Sequence, residues 1–295
     1  MGYNIFMDVI RDRHGRGLDV TFYGANGRSV KLTPAGLEAA IRVKQALLAK
    51  QALPGAPDLF ARSCRKLLGL KPVKLGLRLW NGKRIFFNVP PDIGNFIKDV
   101  DGIILRDQYS AGAVCGKIVA DAGANIGIFS LYARALGAKK IYAFEAVLET
   151  FAMLKRNLEL NRAGGKIEAV NIALGKEKGS AELMYGPNGE GSAMIACGGG
   201  VNRGLAYPGR REVRIAPLDA LIGEKIGFLK MDVEGYEKNV LLGAAGIIAG
   251  DKPVLSFSAY HRKNDVKELP RTVLRIRDDY KINFNAFAED NFYCV

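Results

Sequence analysis

From Lys117 onward the chain alternates short apolar runs with stretches of helical spacing, and this alternation restricts the fold more than any other feature. Lys117-Ile-Val-Ala-Asp, Lys140-Ile-Tyr-Ala-Phe-Glu145, Lys166-Ile-Glu-Ala-Val-Asn-Ile-Ala173, Ile226-Gly-Phe-Leu-Lys-Met-Asp232 and Pro253-Val-Leu-Ser-Phe-Ser read as core strands. Residues 126–136, 147–161, 235–245 and 266–278 carry apolar side chains at helical spacing between and after them. Such units need crossover connections, so they predict an α/β, doubly wound, mostly parallel sheet. Lys281-Ile-Asn-Phe-Asn and Asn291-Phe-Tyr-Cys are expected to close it as a terminal antiparallel pair. Ala181-Glu-Leu-Met-Tyr and Glu212-Val-Arg-Ile read as an inserted hairpin. The tract 186–204 inside it holds seven glycines, and reads as a substrate lid or an ordinary loop tip.

Residues 1–95 read as a separate α+β extension ahead of a 96–295 domain. Hairpins are expected around Gly24-Ala-Asn-Gly27 and Asn81-Gly82. Helices are expected over 34–51 and 58–70, separated by Pro54-Gly-Ala-Pro57. The second sets Leu59, Phe60, Leu67 and Leu68 against Arg62, Arg65 and Lys66, a pattern for packing on a core or for lying on an anionic membrane surface. Residues 1–100 hold 17 Lys and Arg against 7 Asp and Glu, whereas the remaining 195 hold 26 against 23. The basic excess therefore belongs to the extension, as a solvated surface or as an attractor of phosphate, nucleic acid or anionic lipid. No apolar window reaches the roughly 18 residues of a membrane span. Charges at Asp8, Arg11, Asp12 and Arg13 interrupt any signal-peptide core, so a cytoplasmic protein is expected. The four cysteines are scattered, with no Cys-x-x-Cys pair, which argues against a zinc site or a disulfide framework.

The unusual residues sit where ligands bind in open α/β sheets, at the carboxyl ends of the strands. Asp121 ends the first core strand, and Gly123 and Gly127 bracket a turn into the next helix. The run Asp121-Ala122-Gly123-Ala124-Asn125-Ile126-Gly127 lacks the middle glycine of a dinucleotide fingerprint and adds a leading acid. An acid there repels pyrophosphate and suits a cationic ligand end, such as an α-amino group. Glu145 ends the second strand, where an acid accepts the hydroxyls of a ribose. An amino-acid end plus a nucleoside describes S-adenosylmethionine.

These residues resemble the FkbM family of methyltransferases over roughly 96–295. Val119-Ala-Asp-Ala-Gly-Ala-Asn-Ile-Gly127, Ala143-Phe-Glu-Ala146, Val170-Asn-Ile-Ala-Leu-Gly175 and Leu229-Lys-Met-Asp-Val-Glu-Gly-Tyr-Glu237 carry the resemblance. It implies a class I methyltransferase-like (Rossmann-like) fold, S-adenosylmethionine as cofactor, and usually methylation of a hydroxyl on a sugar or other small molecule. By resemblance, Asp121, Ala122, Gly123, Ala124, Asn125 and Gly127 cradle the cofactor. Glu145 and Ala146 hold its ribose, Asn171 and Ala173 flank its adenine, and Asp232 and Glu234 face the reaction centre. Many members carry an acid and a His after the fifth strand; Ser256-Phe-Ser-Ala-Tyr-His261 keeps only the His.

Removing a proton from an acceptor hydroxyl needs a base, and His261 lies on the rim where the site is expected. Asp232 and Glu234 orient a hydroxyl, act as base, bind Mg²⁺ with waters, or cap the helix that follows. Lys230 is read as alternating to the opposite face. No metal centre is predicted, although a divalent ion stays open as an alternative. An RNA methyltransferase gripping phosphates through residues 1–100 and a non-catalytic binding protein are the competing readings. The absence of an Asn/Asp-Pro-Pro-Tyr run and of a Pro-Cys pair argues against methylation of adenine nitrogen and of cytosine carbon.

Overall fold

The computed structural model describes residues 19–24, 29–32, 72–90, 93–185, 194–195, 209–285 and 290–295. The helices read over 34–51 and 58–70 fall outside the described residues, as does the glycine-rich tract apart from Met194 and Ile195. The chain divides into two units, 1–107 and 108–295.

The first unit carries a four-stranded antiparallel sheet, order β2-β1-β3-β4. Its strands are β1 (Asp19–Gly24), β2 (Ser29–Leu32), β3 (Pro72–Arg78) and β4 (Arg84–Asn88). Both expected hairpins are present. In the second, Asn81 Oδ1 accepts the Lys83 amide at 3.0 Å and Gly82 takes φ +77°, the turn chemistry that Asn-Gly favours. Leu75, Leu77, Ile85 and Phe87 are buried. Helix α1 (Ile93–Val100) sets Phe96 edge-on to Phe87, centroids 5.8 Å apart, and continues as a π-turn over Asp101–Leu105. The 95/96 boundary read from the sequence falls inside α1.

The second unit is built on a seven-stranded sheet, order β14-β15-β13-β12-β5-β6-β7. These are β5 (Ile118–Ala122), β6 (Lys140–Phe144), β7 (Ile167–Val170), β12 (Phe228–Met231), β13 (Val254–Ser258), β14 (Ile282–Asn285) and β15 (Asn291–Cys294). β15 runs antiparallel to both neighbours, and the other pairings are parallel. The central strands are covered on both faces: every residue of β12, and Val119 to Ala122 of β5, is buried, as parallel sheets require. The helices are α2 (Ile128–Ala135), α3 (Leu148–Leu160), α4 (Glu237–Gly243), α5 (Ala245–Asp251) and α6 (Asp265–Ile276). From β5 the chain adds strands outward on one side, then crosses to add β12 and β13 on the other. In open α/β sheets ligands bind in the crevice at such a reversal, here above the ends of β5 and β12.

Two sequence readings change. The strand read over 166–173 ends at Val170, where the Asn171 side-chain Nδ2 donates to the carbonyls of Glu145 (2.8 Å) and Ala146 (3.1 Å). Ala173–Leu174 then becomes β8 of a separate sheet, order β10-β9-β11-β8, with β9 (Gly179–Tyr185), β10 (Met194–Ile195) and β11 (Gly209–Ala216). Its β9–β11 pair is the expected inserted hairpin. The helix read over 235–245 divides at Ala244, where the Asp219 carboxylate accepts the Gly246 and Ile247 amides at 2.7 and 2.9 Å and starts a new helix. Among the described residues, no helix is long and apolar enough to cross a membrane.

Phe129 of α2 is 1% exposed, edge-on to Tyr109 (5.7 Å) and stacked on Phe228 (5.9 Å). Phe129→Ala is expected to cost about 3–5 kcal/mol of stability, read as a lower urea midpoint for the full chain.

Candidate functional site

The crevice is lined from the strand ends. After β5, the backbone at Gly123, Asn125 and Gly127 takes φ of +73°, +50° and +93°. Glycine tolerates this left-handed region freely. Asn125 tolerates it because its Oδ1 accepts the Ile126 amide at 2.7 Å. A Cβ on Gly123 would lie 1.9 Å from the Asp232 carbonyl oxygen, and one on Gly127 2.6 Å from Leu154 Cδ1. The Gly123 and Ala124 amides both donate to Phe144 O, at 3.0 and 2.9 Å. The turn is thus pinned between the ends of β6 and β12, with the buried alanines Ala122 and Ala124 inside it.

Glu145 follows β6 and reaches back to this turn. One carboxylate oxygen accepts the Asn125 amide (2.9 Å) and the other the Val147 amide (2.8 Å). Burial pushes its pKa up to about 7, opposed in part by those two hydrogen bonds and by Lys230. Asn171, through its bonds to the Glu145 and Ala146 carbonyls, holds the same edge. The Ala173 side chain is placed differently, in a small apolar core with Val147, Leu183, Val213 and Ile215.

Lys230 departs from the sequence reading. That reading set it on the face opposite Asp232 and Glu234, but β12 and β5 pair with Lys230 beside Asp121, and its charge acts on Asp232 as well. Lys230 Nζ lies 3.0 Å from Asp121 Oδ1 and donates to Gly123 O at 2.7 Å. Ser130 Oγ donates to Asp121 Oδ2 at 2.6 Å. Asp121 is fully buried and neutralised, not an open acid awaiting a cation. Its charge organises the turn from beneath.

Beside this pair lies a second charged cluster. Asp232 follows β12 and accepts the Tyr109 hydroxyl at 2.7 Å, while Ser258 Oγ of β13 lies 3.3 Å from the same phenol. Burial would raise the Asp232 pKa, but His261, Lys230 and the Tyr109 and Ser258 hydrogen bonds outweigh it and hold the acid below its ordinary range. Glu234 has left the strand, in the left-handed region at φ +53°. Even so, both carboxylates come within 3.5 Å of His261 Nε2. Neither acid caps α4. Instead Glu237 Oε1 accepts the Val233 and Gly235 amides, at 3.0 and 3.3 Å, and lies 2.9 Å from His261 Nδ1. Burial would lower the His261 pKa, but Glu237, Asp232 and Glu234 carry it up to about 10. His261 follows β13 beside Asp232, and these three acids favour its charged form. Tyr109 and Glu237 join the site without having been singled out, and Lys230 joins it against its sequence reading. Glu237 was visible as the last acid of the Lys230–Glu237 run, whereas nothing in the sequence around Tyr109 marks it.

A seven-stranded sheet in this order, one strand antiparallel and the charged residues gathered at its switch point, defines a class I methyltransferase-like protein. The methyltransferase FkbM domain model matches residues 121–281, more than half of the chain, and the chain belongs to that family. It is 31% identical over 145 residues to Methyltransferase 1 of Beauveria bassiana, covering 43% of this chain and 58% of that one. It is 41% identical over 78 residues to Methyltransferase sdnD of Sordaria araneosa, covering 26% and 30%. The chain thus spans less than two thirds of either relative. The crystal structure of methyltransferase FkbM from Methylobacillus flagellatus superposes with a TM-score of 0.47 at 22% identity, covering 61% of this chain and 44% of that one.

Removing one partner of a buried ion pair leaves an uncompensated charge. Lys230→Met is therefore expected to cost about 3–5 kcal/mol, and Asp121→Asn in the same chain to recover part of it, measured as a denaturation double-mutant cycle. A carboxylic acid whose pKa is raised on folding destabilises the fold as pH climbs from its unfolded to its folded value. The Glu145 contribution to stability should thus fall from the ordinary glutamate range up to about pH 7 and then stay level. Unfolding free energies of the parent and Glu145→Gln, compared across that window, should diverge in favour of the variant with rising pH; a constant difference would contradict the assignment.

Proposed function

We propose that this chain binds S-adenosylmethionine at the β5–α2 turn and Glu145, and transfers its methyl group to a hydroxyl of a sugar, glycan or other small molecule. The observation that carries the reading is the Glu145 carboxylate. It is buried at the lip of the turn and already accepts one amide on each oxygen. A carboxylate has about four acceptor positions, so each oxygen retains capacity for one more donor. Two acceptor positions side by side suit the vicinal hydroxyls of a ribose. Gly123, Asn125 and Gly127 give the turn a tight left-handed course at the end of β5, which suits close approach of a ligand to the main chain. Asn171 borders the same edge, where a base would lie beyond the ribose.

When bound, the cofactor supplies a methyl group on a positively charged sulfur, open to in-line displacement. The protein contributes alignment. Asp121 and Lys230 act as positioning residues by fixing the turn, and their mutual neutralisation leaves the floor of the site without a bare charge. The acceptor oxygen belongs beside Asp232 and His261, at the far end of the crevice from Glu145. Family membership supports methyl transfer; the hydroxyl acceptor is the choice that a cluster of carboxylates and an imidazole favours, since a hydroxyl must lose its proton during transfer and a neutral amine attacks without prior loss.

Calorimetric titration of the full chain with S-adenosylmethionine tests the reading. Saturable binding is expected, weakened more than about tenfold in Glu145→Ala, the loss of two ribose hydrogen bonds at about 1 kcal/mol each. A folded parent that takes up no cofactor would overturn it.

A further inference from the structure

The turn accounts for the cofactor half of the crevice. The cluster beyond it has a composition that methyl transfer does not by itself require. Asp232, Glu237 and His261 each place one ligand atom within 4.8 Å of the others. The side chains of His261 and Glu237 are 7% and 1% exposed. Three carboxylates converge on one imidazole: Asp232 and Glu234 at 3.5 Å from Nε2, and Glu237 at 2.9 Å from Nδ1. Asp265 adds a fourth acid nearby, since its pKa is raised by burial and in part by Glu237. Among the described residues, the positive groups acting on these acids are His261 itself, Arg262 and Lys230, the last already engaged by Asp121.

The hydrogen bonding points the same way. Asp232 Oδ1, Glu237 Oε2 and both ring nitrogens of His261 are buried without a hydrogen bond of acceptable geometry. The contacts to His261 are short enough for ion pairing but poorly aligned. Buried polar atoms are rarely left so, and these gather around one point. Two carboxylates offer lone pairs there, and the imidazole offers one when a cation displaces its proton, as metal binding requires.

We infer that Asp232, Glu237 and His261 form a binding site for a single divalent metal ion. The span fits: ligand atoms on opposite sides of an ion with bonds of 2.0–2.2 Å lie about 4.2 Å apart, so closing from 4.8 Å takes tenths of an ångström. Two carboxylates and one imidazole suit a hard to borderline ion such as Mn²⁺, Mg²⁺ or Zn²⁺. Glu234, at 3.5 Å from the ring, stands next to this set. Three protein ligands leave coordination positions open, and an acceptor hydroxyl bound there would lose its proton more readily. The site deepens the hydroxyl-acceptor reading, but binding of the ion stands independently of methyl transfer.

The test is Mn²⁺ uptake by the full chain after treatment with a chelator, followed by the electron paramagnetic resonance of free Mn²⁺, with Mg²⁺ and Zn²⁺ as competitors. One ion per chain is expected in the parent, with affinity reduced more than about tenfold in Asp232→Asn and in His261→Ala. Near-UV circular dichroism verifies that each variant is folded, and the isosteric Asp232→Asn decides the matter if His261→Ala is not. No saturable uptake of any of the three ions by the folded parent, or equal uptake by the parent and folded Asp232→Asn, overturns the site. Cofactor titration of the same preparations separates this outcome from failure of the methyltransferase reading.

Discussion

Lys230 and Asp121 meet at 3.0 Å between the two strands where the sheet changes direction. Burying such a pair is costly unless further hydrogen bonds complete it. Here Ser130 of α2 donates to Asp121 Oδ2 and the ammonium donates to the carbonyl of Gly123, while Asp121 Oδ1 has the ion pair itself. A single interaction thereby joins β12, β5, the glycine turn and the helix that follows. Two apolar residues of similar volume would fill the space, but would leave the Gly123 carbonyl without its partner and the turn without a reason to hold its left-handed course.

The crevice consequently carries two electrostatic regimes side by side. Beneath the turn, charge is cancelled in place. Beyond it, around Asp232, Glu234, Glu237 and His261, negative charge accumulates. The backbone draws the second regime together, since Glu237 gathers the Val233 and Gly235 amides on one oxygen and so folds the loop that presents Asp232 and Glu234. A neutral floor and an acidic wall suit a donor carrying positive charge and an acceptor that must shed a proton.

The fold of the second unit was legible because hydrophobic period and strand-ending acids agree along its length. β5, β6, β12 and β13 lie where the apolar runs indicate, and Asp121, Glu145, Asp232 and His261 gather at one rim. What escaped the sequence was lateral. That Lys230 neighbours Asp121 depends on strand register between segments more than a hundred residues apart, and alternation within one strand says nothing about the strand beside it. The early end of β7 comes where the Asn171 side chain finds its carbonyls. Tyr109 is buried against an acid 123 positions away, and no local pattern announces such a contact. The raised pKa of His261 was likewise invisible, because it comes from three carboxylates that meet only in the folded chain.

Gly123 has a mechanical consequence. With no room for even a methyl group between its Cα and the Asp232 carbonyl, the glycine turn and the end of β12 are in direct backbone contact. The two halves of the crevice therefore share one alignment, and neither can slide without carrying the other. A larger residue at position 123 would push the turn and the end of β12 apart together, so this seam sets the spacing of the residues on its two sides.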